Sequence, residues 1–135
     1  MKIIVNDIEL TGEVFGSRQF IQNAQRDTLT IKADATGSFD EFLSHFDNAN
    51  EIRVVETNMV QEFDENGELI GEKEVTETSI YTDYSIIFKR AIESELVTPE
   101  TPDVPAVYKD VYVVGLAQKT YLEKQIEMLQ QLLNQ

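Results

Sequence analysis

The chain has no cysteine and no tryptophan, and only one histidine and three prolines in 135 residues. Without cysteine there are no disulfides, no thiolate metal ligands and no thiol nucleophile. A single histidine, His45, has no second imidazole to share a metal or an acid–base step, and it reads as an ordinary residue of a short helix. Positive charge is scarce too. Eleven Lys and Arg stand against 25 Asp and Glu, a formal net charge of −14. Phosphate backbones and anionic bilayers both call for a basic face, so the expectation is no nucleic acid and no membrane as partner. No apolar run approaches the roughly 18 residues of a membrane helix. The opening Met1–Val5 meets Asn6-Asp7 too soon to form a signal-peptide core, which places synthesis in the cytoplasm. The six glycines are scattered turn residues, with no phosphate-cradling loop among them.

What is present is a β-rich pattern. Hydrophobic residues make up 41% of the chain, enough for a packed core in one domain with a small appendage. Charge is distributed unevenly: residues 1–39 hold five acids and four bases, residues 40–103 seventeen and four, residues 104–135 three and three. The acidic middle is therefore expected to face water and the near-neutral ends to make contacts.

Ile4, Ile8 and Leu10 fall on one alternating face, with Asn6-Asp7 as a tight turn between them. Thr11-Gly12 and Gly16-Ser17 punctuate the next stretch, Gln22–Asp27 reads as a polar loop, and Thr28–Ala33 is a clean strand. Ser38-Phe39-Asp40-Glu41 is a capping box, and Phe39, Phe42, Leu43 and Phe46 recur at i, i+3, i+4 and i+7. A short helix over 39–48 follows, with Asn48-Ala49-Asn50 as its stop. Two strands around Asn66-Gly67 suit a two-residue type I′ hairpin. Residues 85–92 fit strand or helix equally well. Pro99, Pro102 and Pro105 mark 94–107 as a stiff linker, dividing a β-rich domain (1–93) from a strand and helix (108–135). The fold class expected is α+β, a mostly antiparallel small barrel or sandwich with one short helix and a C-terminal helix.

Two candidate sites compete with plainer readings. Counting Gly67 as the sixth position of a calcium loop places Glu62, Asp64 and Asn66 on ligand positions, but Lys73 stands where a bidentate Glu is required. An acidic hairpin turn fits better, and no metal or cofactor is expected. The last helix carries more information. Leu122, Ile126, Leu129 and Leu133 step by four, three and four, a heptad seam, and Tyr121, Met128 and Leu132 widen it. Packing on its own domain would explain that stripe, and so would self-association; the linker before it favours the second. Two heptads are short for an independent coiled coil, so the β-domain must help.

The phrases Ile3-Ile4-Val5-Asn6-Asp7, Gln19–Leu29, Tyr108–Tyr112 and Ala117–Gln125 together resemble small tail- or baseplate-associated proteins of siphophages and prophages of Gram-positive bacteria. The likeness is weakest over 50–95. It implies a non-enzymatic structural component of a virion tail, made in the host cytoplasm, without cofactor. It further implies a homo-oligomer, a trimer or hexamer, in contact with other phage tail proteins. Two rival functions stand beside it: an acidic regulatory binder or inhibitor of a basic, nucleic-acid-binding protein, and a tail-associated hydrolase using a carboxylate pair.

Overall fold

The computed structural model of the chain describes residues 1–47, 49 and 51–134. Two turns set the first half of the sheet. Asn6-Asp7 has φ of 48° and 65°, and Gln22-Asn23 has 49° and 64°, the paired left-handed values of a type I′ hairpin. The first joins β1 (Lys2–Val5) to β2 (Ile8–Ile21), and the second joins β2 to β3 (Ala24–Asp34). Gln22–Asp27, expected as a loop, is thus a two-residue turn followed by strand. Gln22, Asn23, Gln25 and Asp27 reach water at the strand ends, whereas Arg26 is buried. Register also corrects the inward face of β1. Ile3 and Val5 are fully buried, whereas Ile4 pairs with Glu9 on the other face and Ile8 is exposed at the turn.

The helix α1 (Phe39–Ser44) is capped by Ser38, whose hydroxyl accepts from the Glu41 N–H at 3.1 Å. It ends earlier than the expected 39–48, because 45–47 close as tighter turns with Phe46 N–H on Leu43 O and Asp47 N–H on Ser44 O. Asn48 and Asn50 of the expected stop lie outside the described residues. Four strands and a second helix complete the chain: β4 (Glu51–Phe63), β5 (Leu69–Thr82), β6 (Ile86–Thr98), β7 (Val107–Ala117) and α2 (Tyr121–Leu133). Residues 85–92, open in the sequence, are therefore almost entirely strand.

The β4–β5 turn differs from the expected type I′. Asp64 O accepts from Gly67 N–H at 3.0 Å, Glu68 O accepts from Asp64 N–H at 2.9 Å, and Gly67 takes φ 80°. This is a type I turn closed by a left-handed glycine, the three-residue alternative. The Asp64 carboxylate selects it by accepting from the N–H groups of Asn66 and Glu68.

All pairings are antiparallel, and the strand order is β5-β4-β1-β2-β3-β7-β6. Strands make up 61% of the described residues, and the sheet curls into a half-barrel. Chain connectivity requires that curl. The outermost strands β5 and β6 are joined by Asp83–Ser85 alone, a reach of about 15 Å. A flat seven-stranded sheet would hold them about 29 Å apart. At Gly12, β2 leaves β1 for β3, and a Cβ there would lie 2.0 Å from Lys32 O; only glycine lets the strands cross so closely.

The concave face is filled by Ile3, Val5, Ile31, Ala33, Ile52, Val54, Val114 and Leu116, with Phe42 and Phe46 of the α1 region laid over it. Phe39 and Phe42 pack on Tyr112, with centroids 5.1 and 5.4 Å away, and the Tyr112 hydroxyl donates to Gly37 O at 2.7 Å. The expected linker is corrected by the same sheet. Residues 94–98 belong to β6, and β7 sits between β3 and β6, so strand 107–117 is part of the core rather than a separate unit. The three prolines lie in the hairpin connection 99–106, where none has to donate to a ladder.

Candidate interface: the C-terminal helix and its anchor

β7 ends at Ala117, and the last helix begins after Thr120, its N-cap. Its hydroxyl accepts from the Glu123 N–H at 3.2 Å, and Glu123 Oε1 accepts from the Thr120 N–H at 2.8 Å, a complete capping box. Thr120-x-x-Glu123 has the spacing of such a box, a signal not drawn from the sequence above.

The partner of that glutamate was not legible. Arg26, on β3, has its side chain 1% exposed and uses all five guanidinium N–H donors. Nε donates to Ile21 O at 2.7 Å, Nη2 to Gln22 O at 3.2 Å and Glu123 Oε2 at 3.0 Å, and Nη1 to Gln118 O at 3.1 Å and Glu123 Oε1. One buried cation thus fastens the β2–β3 turn, the end of β7 and the first turn of α2. Hydrogen bonds from Arg26, then from the Thr120 N–H, hold the Glu123 carboxyl down at about 2. Arg26 is read from sequence as a loop cation because its acceptors are mostly backbone carbonyls, which carry no side-chain signature.

Beyond this node the helix is turned outward. Lys124 pairs with Asp83 at 3.2 Å, and Glu127 pairs with Lys119. These polar residues and Glu123 share one side. The opposite side carries every residue of the expected seam and its flank. Ile126 is the least exposed at 47% and Leu133 the most at 84%; Tyr121, Leu122, Met128, Leu129 and Leu132 lie between. No side chain of α2 is buried. At 100° per residue the seven span an arc of about 160°, interrupted by Gln125, against the narrower stripe of a two-helix seam.

The residues of the calcium-loop match stand elsewhere. Past Val55, β4 loses β1 as a neighbour, so 56–77 form a two-stranded arm about 25 Å long that is exposed almost throughout. The arm carries eight acids and only Lys73 as base, with Phe63, Leu69 and Ile70 exposed at its tip. Glu62 sits on the β4 strand, Asp64 caps the turn, and Lys73 lies opposite Val60. His45 ends α1, its carbonyl accepting from Asn6 Nδ2 at 2.9 Å. Among the described residues no three acidic or histidine side chains are grouped to hold a metal, and no helix is long and apolar enough to cross a membrane. Comparison with family models, curated proteins and solved structures gives no match.

Proposed function

We propose that this protein is a non-enzymatic structural subunit that assembles with copies of itself through α2, as a component of a phage tail or baseplate. The observation that carries the assembly reading is the orientation of α2. Its charged side is spent on Arg26, Asp83 and Lys119, and its apolar side is presented to the outside. A helix packed for its own domain would be turned the other way. The width of the apolar arc favours several helices over two. Burying four seam residues on each of two helices gains about 12–24 kcal/mol, against the roughly 4–15 kcal/mol that association costs. A bundle, a trimer or hexamer, would in addition cover the flank of Tyr121, Met128 and Leu132 that a two-helix seam leaves exposed.

The phage assignment, with other tail proteins as partners, rests on the resemblance of the sequence phrases quoted above. Light scattering tests the assembly. The wild type should have a mass several times 15.4 kDa. Ile126→Asp with Leu129→Asp should reduce that mass while leaving the β-sheet signal in circular dichroism unchanged. A wild type that is monomeric at high concentration removes the assembly reading. Detection of the chain in purified phage particles tests the virion assignment. The rival acidic binder has the arm in its favour. It calls instead for salt-sensitive capture of a basic host protein by the wild type, lost when the arm carboxylates are replaced by amides.

A further inference from the structure

A sheet with two outer strands has two open edges, and their charges differ. Nine of the eleven Lys and Arg have an ion-pair partner within the chain. Among the described residues the two without one are Lys73 on β5 and Arg90 on β6, one on each open edge. Around Lys73 the β5 edge carries Glu72, Glu74 and Glu77, and it continues the acidic arm. Two such edges would repel each other. The β6 edge is ordered differently. Lys89 and Arg90 come first, then Ile92, then Glu93 and Glu95. Two register shifts, at 87/89 and 96/98, bound a regular stretch whose middle is Ile92, 55% exposed. Lys109, directly across from Glu95, is taken by Asp34 at 3.1 Å, which leaves Glu95 without a salt bridge among the described residues.

We propose that the β6 edge pairs, antiparallel and about a two-fold axis through Ile92, with the same edge of a second copy. In that register Ile92 faces Ile92 of the second copy, and Lys89, which lies 3.5 Å from Glu93 in its own chain, and Glu95 each face the other's counterpart. Arg90 faces Ser94. The charges of the segment cancel across the axis, with bases meeting acids in both directions. An edge strand with unpaired N–H and C=O groups invites such addition, and opposite charges directly across a ladder favour it whereas like charges oppose it. The interface is isologous. It is independent of α2 and would extend the seven-stranded sheet into one of fourteen strands. Two separate self-contacts on one chain permit growth beyond a closed pair.

The absence of cysteine makes the test direct. Ile92→Cys should cross-link to a disulfide dimer under mild oxidation, because facing residues on paired strands have Cα atoms about 4.5–5.5 Å apart, within disulfide reach. Ile80→Cys, equally exposed but on β5, should remain uncross-linked. A charge swap carried out on the full chain bearing Ile126→Asp and Leu129→Asp gives the second readout. That chain should have twice the monomer mass. Lys89→Glu or Glu95→Lys alone should halve it, and the two together should restore it. Circular dichroism checks that each variant keeps its fold. A monomeric Ile126→Asp/Leu129→Asp chain, equal cross-linking at 80 and 92, or failure of the double swap overturns the β6 pairing. If that chain instead keeps the wild-type mass and passes the swap test, β6 pairing stands and the α2 assembly falls.

Discussion

Arg26 and Glu123 lie 97 positions apart and share one polar node. The node converts a change of proton occupancy into a change of attachment. The Glu123 carboxyl titrates near 2 in the folded chain and near 4.5 when free. A depressed folded value means that its contribution is complete above about 4.5 and is lost as the pH falls through about 2. Protection of the amides at the start of α2, measured against their intrinsic exchange rates, should therefore fall across that acid range. Glu123→Gln, which removes the titrating group, should give lower protection already at neutral pH and far less dependence on acid. Exchange unchanged by both would mean that something other than this pair holds the helix. At this scale the node was missed from the sequence. Thr120 and Glu123 have a diagnostic spacing that could have been read; Arg26 does not, since nothing local distinguishes a cation bound to carbonyls from one in water.

Elements with an internal signature were legible, and those defined by distant partners were not. The stripe of Phe39, Phe42, Leu43 and Phe46 gave α1 and its inward face from local spacing alone. The seam of α2 was legible for the same reason. Strand 107–117 was legible as a strand, but its place between β3 and β6 was not, because strand order depends on pairings far apart in the chain. Three prolines looked like a boundary and proved to be a hairpin connection, since proline disfavours a ladder position without saying what lies on either side. Turn chemistry failed in both directions. Asn66-Gly67 took a type I turn under the control of Asp64, whereas Gln22-Asn23, which has no glycine, made the type I′ turn. The energetics of α1 are open to a simple measurement. Phe42 is 3% exposed and packs against Phe46 and Tyr112. Phe42→Ala should lower unfolding stability by about 3–5 kcal/mol in urea titration. A loss below 1 kcal/mol would mean that α1 only rests on the sheet.

For the molecule as a whole, stability and surface are kept in different places. The core lies under α1, and the acidic arm of residues 56–77 adds almost nothing to it. Replacing Asn58–Val75 with Asn-Gly, next to the Thr57–Thr76 hydroxyl contact at 3.2 Å, should leave the melting temperature within a few degrees. It should also remove six of the carboxylates. Collapse of the fold in that variant would show that the arm is structural after all. The expectation that the acidic middle faces water holds for this arm. It does not hold throughout: residues 52 and 54, inside the same acidic stretch, are buried in the core. A charge count has no access to that division, because alternation along one strand places wet and dry residues side by side.

The position of β7 has a consequence in time. Its neighbour β3 ends at Asp34, and their pairing begins only at Val111. At the roughly 5–20 residues per second of synthesis, β3 waits about 4–15 seconds for its partner to be made. During that interval one edge of β3 has no partner strand, and Phe39 and Phe42 lack Tyr112 to pack against. The growing polypeptide is consequently most adhesive just before its last strand appears. In a crowded cell, the yield of folded subunit should depend more on how quickly residues 35–117 are translated than on the final stability of the sheet.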